Sequence, residues 1–250
     1  MKNYSKGINS EKVNNVFCII PARDEEEGIE RALTGLLSGS GLSKSNFIVV
    51  NNASKDQTSD IVKQMGFFSM NCHQIGYGSA CLVALDWIKQ ANLQPDYILF
   101  CDADGSDDPS DIQKLIRVIQ ETGADLVIGS RTIGVVEKGA LSPIQIFGNA
   151  LTCFLILIFF RRKFSDMGPL RIIKYSSILQ LQMEDPTWGW NIEMHVKALQ
   201  FGFDIREISV NYRKRFAGVS KISGTLSMSL RVGIKILYTF FRLLLFRVHR

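Results

Sequence analysis

The chain has 250 residues, 46% hydrophobic and 21% charged, with a formal net charge of +5. That balance excludes a disordered or low-complexity protein and suffices for one large domain, or one domain with an appendage. The five cysteines (Cys18, Cys72, Cys81, Cys101 and Cys153) are scattered and form no CxxC pair, which argues against a zinc ribbon or disulfide scaffold and for a reducing compartment.

In chain order, residues 1–15 show no apolar core of a signal sequence and read as a flexible arm. Val16–Ile20 is a short apolar run followed by Pro21 and an acidic helix start at Asp24–Glu27. Phe47–Val50 is a second run, ending in the polar stretch Asn51–Thr58 before the helical Ile61–Met65. Phe67–Cys72 is a third, after which Ala80–Ala91 carries Leu82, Leu85 and Ile88 at helical spacing. Tyr97–Cys101 is a fourth; Ile112, Leu115, Ile116 and Ile119 mark the next helix, and Leu126–Gly129 is a fifth strand. Near-continuous apolar strands alternating with amphipathic helices predict an α/β fold with a mostly parallel sheet flanked by helices. Ligands of such sheets bind at the carboxyl ends of the strands.

After about residue 135 the rhythm changes. Pro143–Phe160 contains the apolar stretch Leu151–Phe160, followed by Arg161, Arg162 and Lys163; this run is shorter than the ~20 residues that cross a bilayer. It fits a buried core helix or an interfacial one. Pro169–Ile173 and Ile205–Val210 read as strands, and Trp190–Leu199 as a helix. Residues 211–250 hold nine Lys and Arg and no Asp or Glu, so removing them from the net +5 leaves −4 for the rest. Within this tail, Leu226–Val248 sets Arg231, Lys235 and Arg242 on one face of an apolar helix. With no acidic residue in the tail to pair them, a helix lying on an anionic membrane surface is preferred over one packed on the protein with snorkelling cations.

The chemistry concentrates where the fourth strand ends, at Asp102-Ala-Asp104. Two carboxylates at i and i+2 can share a divalent cation through hard oxygen ligands and leave positions open for a diphosphate. The same stretch, running on to Asp108 and Pro109, also makes an ordinary acidic helix cap.

Ile20–Glu26 (IPARDEE), Val49–Thr58 (VVNNASKDQT), Gly76–Ala80 (GYGSA), Asp102–Asp104 and Gly129–Arg131 (GSR) follow one another in an order that resembles family 2 glycosyltransferases of the GT-A fold. The similarity is to the branch of dolichyl-phosphate mannose synthase and related polyprenyl-phosphate sugar transferases. Ser165–Arg171 (SDMGPLR), Trp188–Met194 (WGWNIEM) and Tyr212–Lys221 (YRKRFAGVSK) look like that branch's acceptor-side motifs.

The resemblance implies a GT-A domain over residues 16–222, with a donor half at 16–132 and an acceptor half at 133–222. Residues 223–250 would form the basic amphipathic membrane-associating helix. It further implies metal-dependent, inverting transfer of a sugar from a UDP- or GDP-linked donor to polyprenyl phosphate, by a cytoplasmic enzyme peripheral at the inner membrane face. Pro21, Ala22, Arg23, Glu25, Asn51, Asp56, Gly76, Gly78 and Asp102 would line the donor pocket. Asp102 and Asp104 would hold Mg²⁺ or Mn²⁺, and Glu193 and Asp185 are candidate general bases. Arg131, Asp166, Arg171, Arg213, Arg215 and Lys221 would serve the phosphate and acceptor.

Structural roles stand beside several of these: helix-dipole complementation for Asp24–Glu27, loop organisation or capping for Asp56, and a structural part for His195. The sequence departs from many relatives at Asn51 (Asp there), Tyr77 (Lys) and Ser106 (Gln). A hydroxyl-bearing lipid or small molecule as acceptor, or a non-catalytic nucleotide-sugar or membrane-binding module, are the alternatives; no nucleic acid is expected as partner.

Overall fold

Among the described residues, 15–217 and 226–245 of a computed structural model, seven strands form one sheet. Lys221, the last five residues and nearly all of the expected N-terminal arm lie outside that range. The strands are β1 (Val16–Ala22), β2 (Phe47–Asn52), β3 (Phe68–Cys72), β4 (Tyr97–Phe100), β5 (Leu126–Ser130), β6 (Arg171–Lys174) and β7 (Ile205–Ser209), in the order β3-β2-β1-β4-β6-β5-β7. Only β6 runs against its neighbours β4 and β5; the other pairs are parallel. The sheet is therefore mostly parallel, as the apolar runs predicted. Because β6 slots between β4 and β5, both halves of the chain share one sheet.

Successive strand residues face opposite sides, so each strand feeds two cores. Cys18, Ile20 and Leu99 pack beneath α1 (Ile29–Gly39) and α4 (Pro109–Thr122). Ile19, Ile98 and Phe100 pack beneath α3 (Tyr77–Gln90) and α7 (Trp190–Gln200) on the other face. The short α2 (Thr58–Gln64) follows β2, and α6 (Tyr175–Leu181), which the sequence left unread, follows β6. Helix α4 starts where local chemistry dictates: the Asp108 carboxylate accepts from Ser110 N–H at 3.1 Å and Pro109 opens the first turn.

Helix α5 (Pro143–Phe160) begins at a capping box of Ser142 and Gln145. Its 18 residues have a mean hydropathy of 2.0, yet only 17% of the stretch is buried. The sequence reading judged the run too short to span; Pro143–Phe160 is one uncharged helix, long and apolar enough to cross a membrane by length and composition. It is also not a core helix, for Phe147, Phe154, Ile158 and Phe159 are exposed. Helix α8 (Leu226–Leu245) lies alongside, with the Phe240 ring 5.6 Å from Phe159 and 6.4 Å from Phe160. Leu230, Ile234, Tyr238, Phe241 and Leu245 of α8 are exposed too. The carboxyl ends of the parallel strands and the amino end of β6 meet at one edge, which carries the site.

Candidate active site

Past Phe100 the backbone curls so that Asp102 N–H donates to Asp107 at 3.1 Å, while Ser106 donates to Asp104 Oδ1 through N–H at 2.9 Å and Oγ at 2.5 Å. Gly105 permits the turn at φ +78°, and a Cβ there would overlap the Phe216 ring. Among the described residues the Asp102 carboxylate has no hydrogen bond or ion pair, and it lines a cavity of about 240 Å³. Burial, then Asp104 and Asp107, push its pKa well above the carboxylate range. Burial chiefly, with Asp104 adding, lifts Asp107 to about 7 against the Asp102 N–H. Three carboxylates crowded this way favour protonation or a cation.

The folded state therefore holds a proton on Asp107 that the unfolded chain releases near 3.8. Stability then falls as pH rises from about 4 through 7, because the unfolded state binds fewer protons in that window. In chelator, the melting temperature is expected to be lower at pH 8 than at pH 5.5. Asp107→Asn is expected to shrink that difference, as measured by thermal unfolding at both pH values.

Arg131 follows β5 and also lines the cavity. Its Nε and Nη2 grip the two oxygens of Asp166 at 2.7 and 2.8 Å, and its own N–H adds a third bond at 2.8 Å. The Tyr212 ring lies 5.0 Å from the guanidinium. Burial opposes the charge on Arg131, but the Asp166 bonds outweigh it and raise the pKa further. Asp166, expected beside the acceptor, is the buried partner that orients Arg131.

On the donor side the loops after β1 and β2 lace together. Asp24, Glu25 and Glu26 N–H donate to Ser54, Thr58 and Asp56, while Lys55 and Gln57 N–H donate back to Asp24 and Glu26. Asp24 and Ala53 take left-handed backbone at φ +49° and +54°, strain of the kind that gathers at functional sites. Pro21 and Ala22 close β1 opposite Val50 and Asn51, and Asn51 bridges Asn71 and Ser54. Arg23 pairs with Asp24 at 3.5 Å. Burial would lift the Asp56 pKa, but bonds from Thr58 and Glu26 hold it below its usual range, so its visible work is organising the loop.

Residues after β7 cross over the acidic motif. Arg215 reaches Glu25 at 2.9 Å and Asp104 at 3.4 Å, and Arg213 pairs with Asp108 at 2.6 Å. Both were expected to bind a phosphate, that of the donor or of a lipid acceptor; the fold sets Arg215 on Glu25 and Asp104 and Arg213 on Asp108.

Four further expectations fall on residues whose packing and partners the sequence did not show. Gly76 and Gly78 admit the backbone of residues 185–186: a Cβ at Gly76 would overlap the Pro186 carbonyl oxygen, and one at Gly78 that of Asp185. Glu193 is fully buried, paired with Lys197 at 2.7 Å and accepting from Glu184 and Asp185 N–H, so it is no free base. Asp185 is likewise occupied, bonded to Thr187, Gly189, Lys235 and Thr239. Arg171 is fully buried away from the cavity, bonded to the carbonyls of Met167 and Gly168, and burial lowers its pKa to about 10. Beside it, burial and Arg171 lower His195 to about 3, which keeps the imidazole neutral and structural.

The cavity has two kinds of wall. Asp102 and Arg131 come from the strand ends, whereas Ile144 and Gly148 come from α5 and Gly233 and Ile236 from α8. Tyr77, Trp190 and Tyr212 also line it, and sequence reasoning gave none of them a role. All three lay within quoted motifs, and that was the available signal.

The model of Glycosyl transferase family 2 matches residues 17–180. An uncharacterized glycosyltransferase of Mycobacterium tuberculosis is 29% identical over 216 residues, covering 86% of this chain and 93% of that protein. The undecaprenyl-phosphate mannosyltransferase of Micrococcus luteus is 27% identical over 228 residues, covering 84% of this chain and 88% of that protein. Among solved structures, glucosyl-3-phosphoglycerate synthase of Mycobacterium tuberculosis, in complex with Mn²⁺, UDP and glucosyl-3-phosphoglycerate, gives a TM-score of 0.69 at 16% identity, over 91% of this chain and 78% of that one. At that identity the likeness is one of fold.

Proposed function

Since the chain belongs to glycosyl transferase family 2 and is a glycosyltransferase using a nucleotide sugar, we propose that it transfers the sugar to polyprenyl phosphate at the inner face of a membrane, with inversion. One observation carries this reading: the cavity joins Asp102 and Arg131 to the apolar walls of α5 and α8. A lipid monophosphate matches both, its anion beside Arg131 and its chain between the helices. Similarity to the undecaprenyl-phosphate mannosyltransferase of Micrococcus luteus supports the same acceptor class. A phosphate monoester is largely ionised at neutral pH, its second pKa being about 6. It attacks without a general base, in keeping with the occupied carboxylates of Glu193 and Asp185.

The donor would lie across the loops after β1, β2 and β4, with its diphosphate between the acidic pair and Arg215. Mg²⁺ or Mn²⁺ suits the donor set, since Asp102 and Asp104 offer only hard oxygens. Among the described residues no group of three or more His, Cys, Asp or Glu encloses an ion, so phosphate oxygens and water would complete its shell. When bound, the cation neutralises charge on the departing diphosphate. Arg215, held by Glu25 and Asp104, would add a guanidinium charge beside the same oxygens. Direct displacement by the acceptor needs no enzyme nucleophile, which gives inversion.

The test is a competition between a short polyprenyl phosphate and the matching polyprenol, with UDP- and GDP-sugars and Mn²⁺. Sugar is expected on the phosphate alone; exclusive transfer to the alcohol would replace this reading with the hydroxyl-acceptor one. Gly148 and Gly233 provide a second check, for a Cβ at either meets nothing within 4 Å. Leucine at either position is expected to raise KM for polyprenyl phosphate about tenfold, equivalent to 1.4 kcal/mol, while KM for the nucleotide sugar stays unchanged.

A further inference from the structure

Residues 184–189, between α6 and α7, are held by α8 on one side and by the turn opening α3 on the other. Asp185 is 2% exposed. One of its oxygens accepts from Thr187 and Gly189 N–H at 2.9 and 3.2 Å, and the other takes Lys235 Nζ at 2.7 Å and Thr239 Oγ1 at 3.1 Å, both from α8. One residue later, the Pro186 carbonyl accepts from Ser79 N–H at 2.8 Å and Ser79 Oγ at 3.1 Å. No side chain cushions these contacts. A Cβ at Gly76, Gly78 or Gly189 would overlap the Pro186 carbonyl, the Asp185 carbonyl or the Asp185 carboxylate, respectively. Glu193 fixes the near end through Glu184 and Asp185 N–H. Close-packed backbone of this kind transmits displacement instead of absorbing it.

We infer that residues 184–189 carry the seating of α8 to the turn Gly76–Ser79, which makes Asp185 a positioning residue for donor binding. The inference rests on the reading above: Tyr77 of that turn lines the cavity beside Asp102, which would hold the donor's cation, and α8 supplies another wall of the same cavity. Donor affinity is then set in part by how α8 sits. Burial would lift the Asp185 pKa, but Lys235 and the surrounding donors hold it below its ordinary value, so the clasp is ionised.

Lys235→Met combined with Thr239→Val removes both α8 contacts and leaves every cavity-lining residue in place. On the full chain, hydrogen exchange in peptides spanning residues 76–82 is expected to speed up at least tenfold. KM for the UDP- or GDP-sugar that the wild type uses is expected to rise at least fivefold, with kcat within twofold. Asp185→Asn, a second variant that keeps the side-chain shape, is expected to repeat both changes. Wild-type exchange at residues 76–82 in a folded variant would overturn the inference. So would a loss of kcat at constant donor KM in Asp185→Asn, which would make Asp185 a catalytic group. Exchange needs no turnover, so it tests the clasp even if transfer to polyprenyl phosphate fails.

Discussion

Asp102→Asn is expected to lower kcat for sugar transfer by roughly 10³-fold, the scale of losing a principal electrostatic contact in an active site, without lowering the melting temperature. The two halves of that expectation come from one observation. Asp102 is the carboxylate of the acidic motif that lines the cavity and has no partner among the described residues. Its charge is opposed by burial and by Asp104 and Asp107. Removing it relieves repulsion in the folded state, so thermal stability in chelator is expected to hold or rise, while the proposed cation would lose one of its two protein ligands. Asp104→Asn is expected to be comparably inactive, but with a cost to stability. Its Oδ1 anchors the Ser106 turn at 2.9 and 2.5 Å, and its Oδ2 meets Arg215. Steady-state kinetics with Mn²⁺, alongside thermal unfolding in chelator, separates the two variants.

The second large effect is on folding. Asp166→Ala is expected to destabilise the protein by about 3–5 kcal/mol, because it strands a buried guanidinium that had a bidentate partner. The Asp166 side chain is 1% exposed and that of Arg131 13%, so the lost bonds lie in a nearly buried place. Neighbouring Glu207 is already committed to Ser165 N–H and Oγ. Urea unfolding measures the loss directly; a change below 1 kcal/mol would mean that Arg131 finds another partner. The consequence for function follows from position. Arg131 presents its remaining donors to the cavity only while Asp166 and the Tyr212 ring hold its plane.

How much of this was legible in the sequence depended on the range of the interaction concerned. The runs Val16–Ile20, Phe47–Val50 and Tyr97–Cys101 announce buried parallel strands, and β1, β2 and β4 formed at those places. The strand at Arg171–Lys174 was also visible, but its antiparallel place between β4 and β5 was not, because it depends on pairings across some 70 and 45 residues. Gly76 and Gly78 signalled close approach, yet composition does not say what approaches, and it was the chain near residue 185. Glu193 looked functional because it interrupts an apolar helix. Lys197, one turn on, is the partner that makes burial tolerable, and both face inward. Within Pro143–Phe160, polar but uncharged Gln145 and Asn149 made the apolar run look shorter than the helix is. The arginines show the limit most clearly: Arg131, Arg171, Arg213 and Arg215 are alike as letters, and only packing assigns them to the cavity, the core and the acidic motif.

The most direct measurement of the central claim is product formation from a UDP- or GDP-sugar and a short polyprenyl phosphate, with and without Mn²⁺, in wild type and Asp102→Asn. The account predicts a polyprenyl phosphate sugar of inverted anomeric configuration from the wild type with Mn²⁺, lost in chelator and reduced about 10³-fold in Asp102→Asn. Transfer that persists undiminished in chelator or in Asp102→Asn would contradict it.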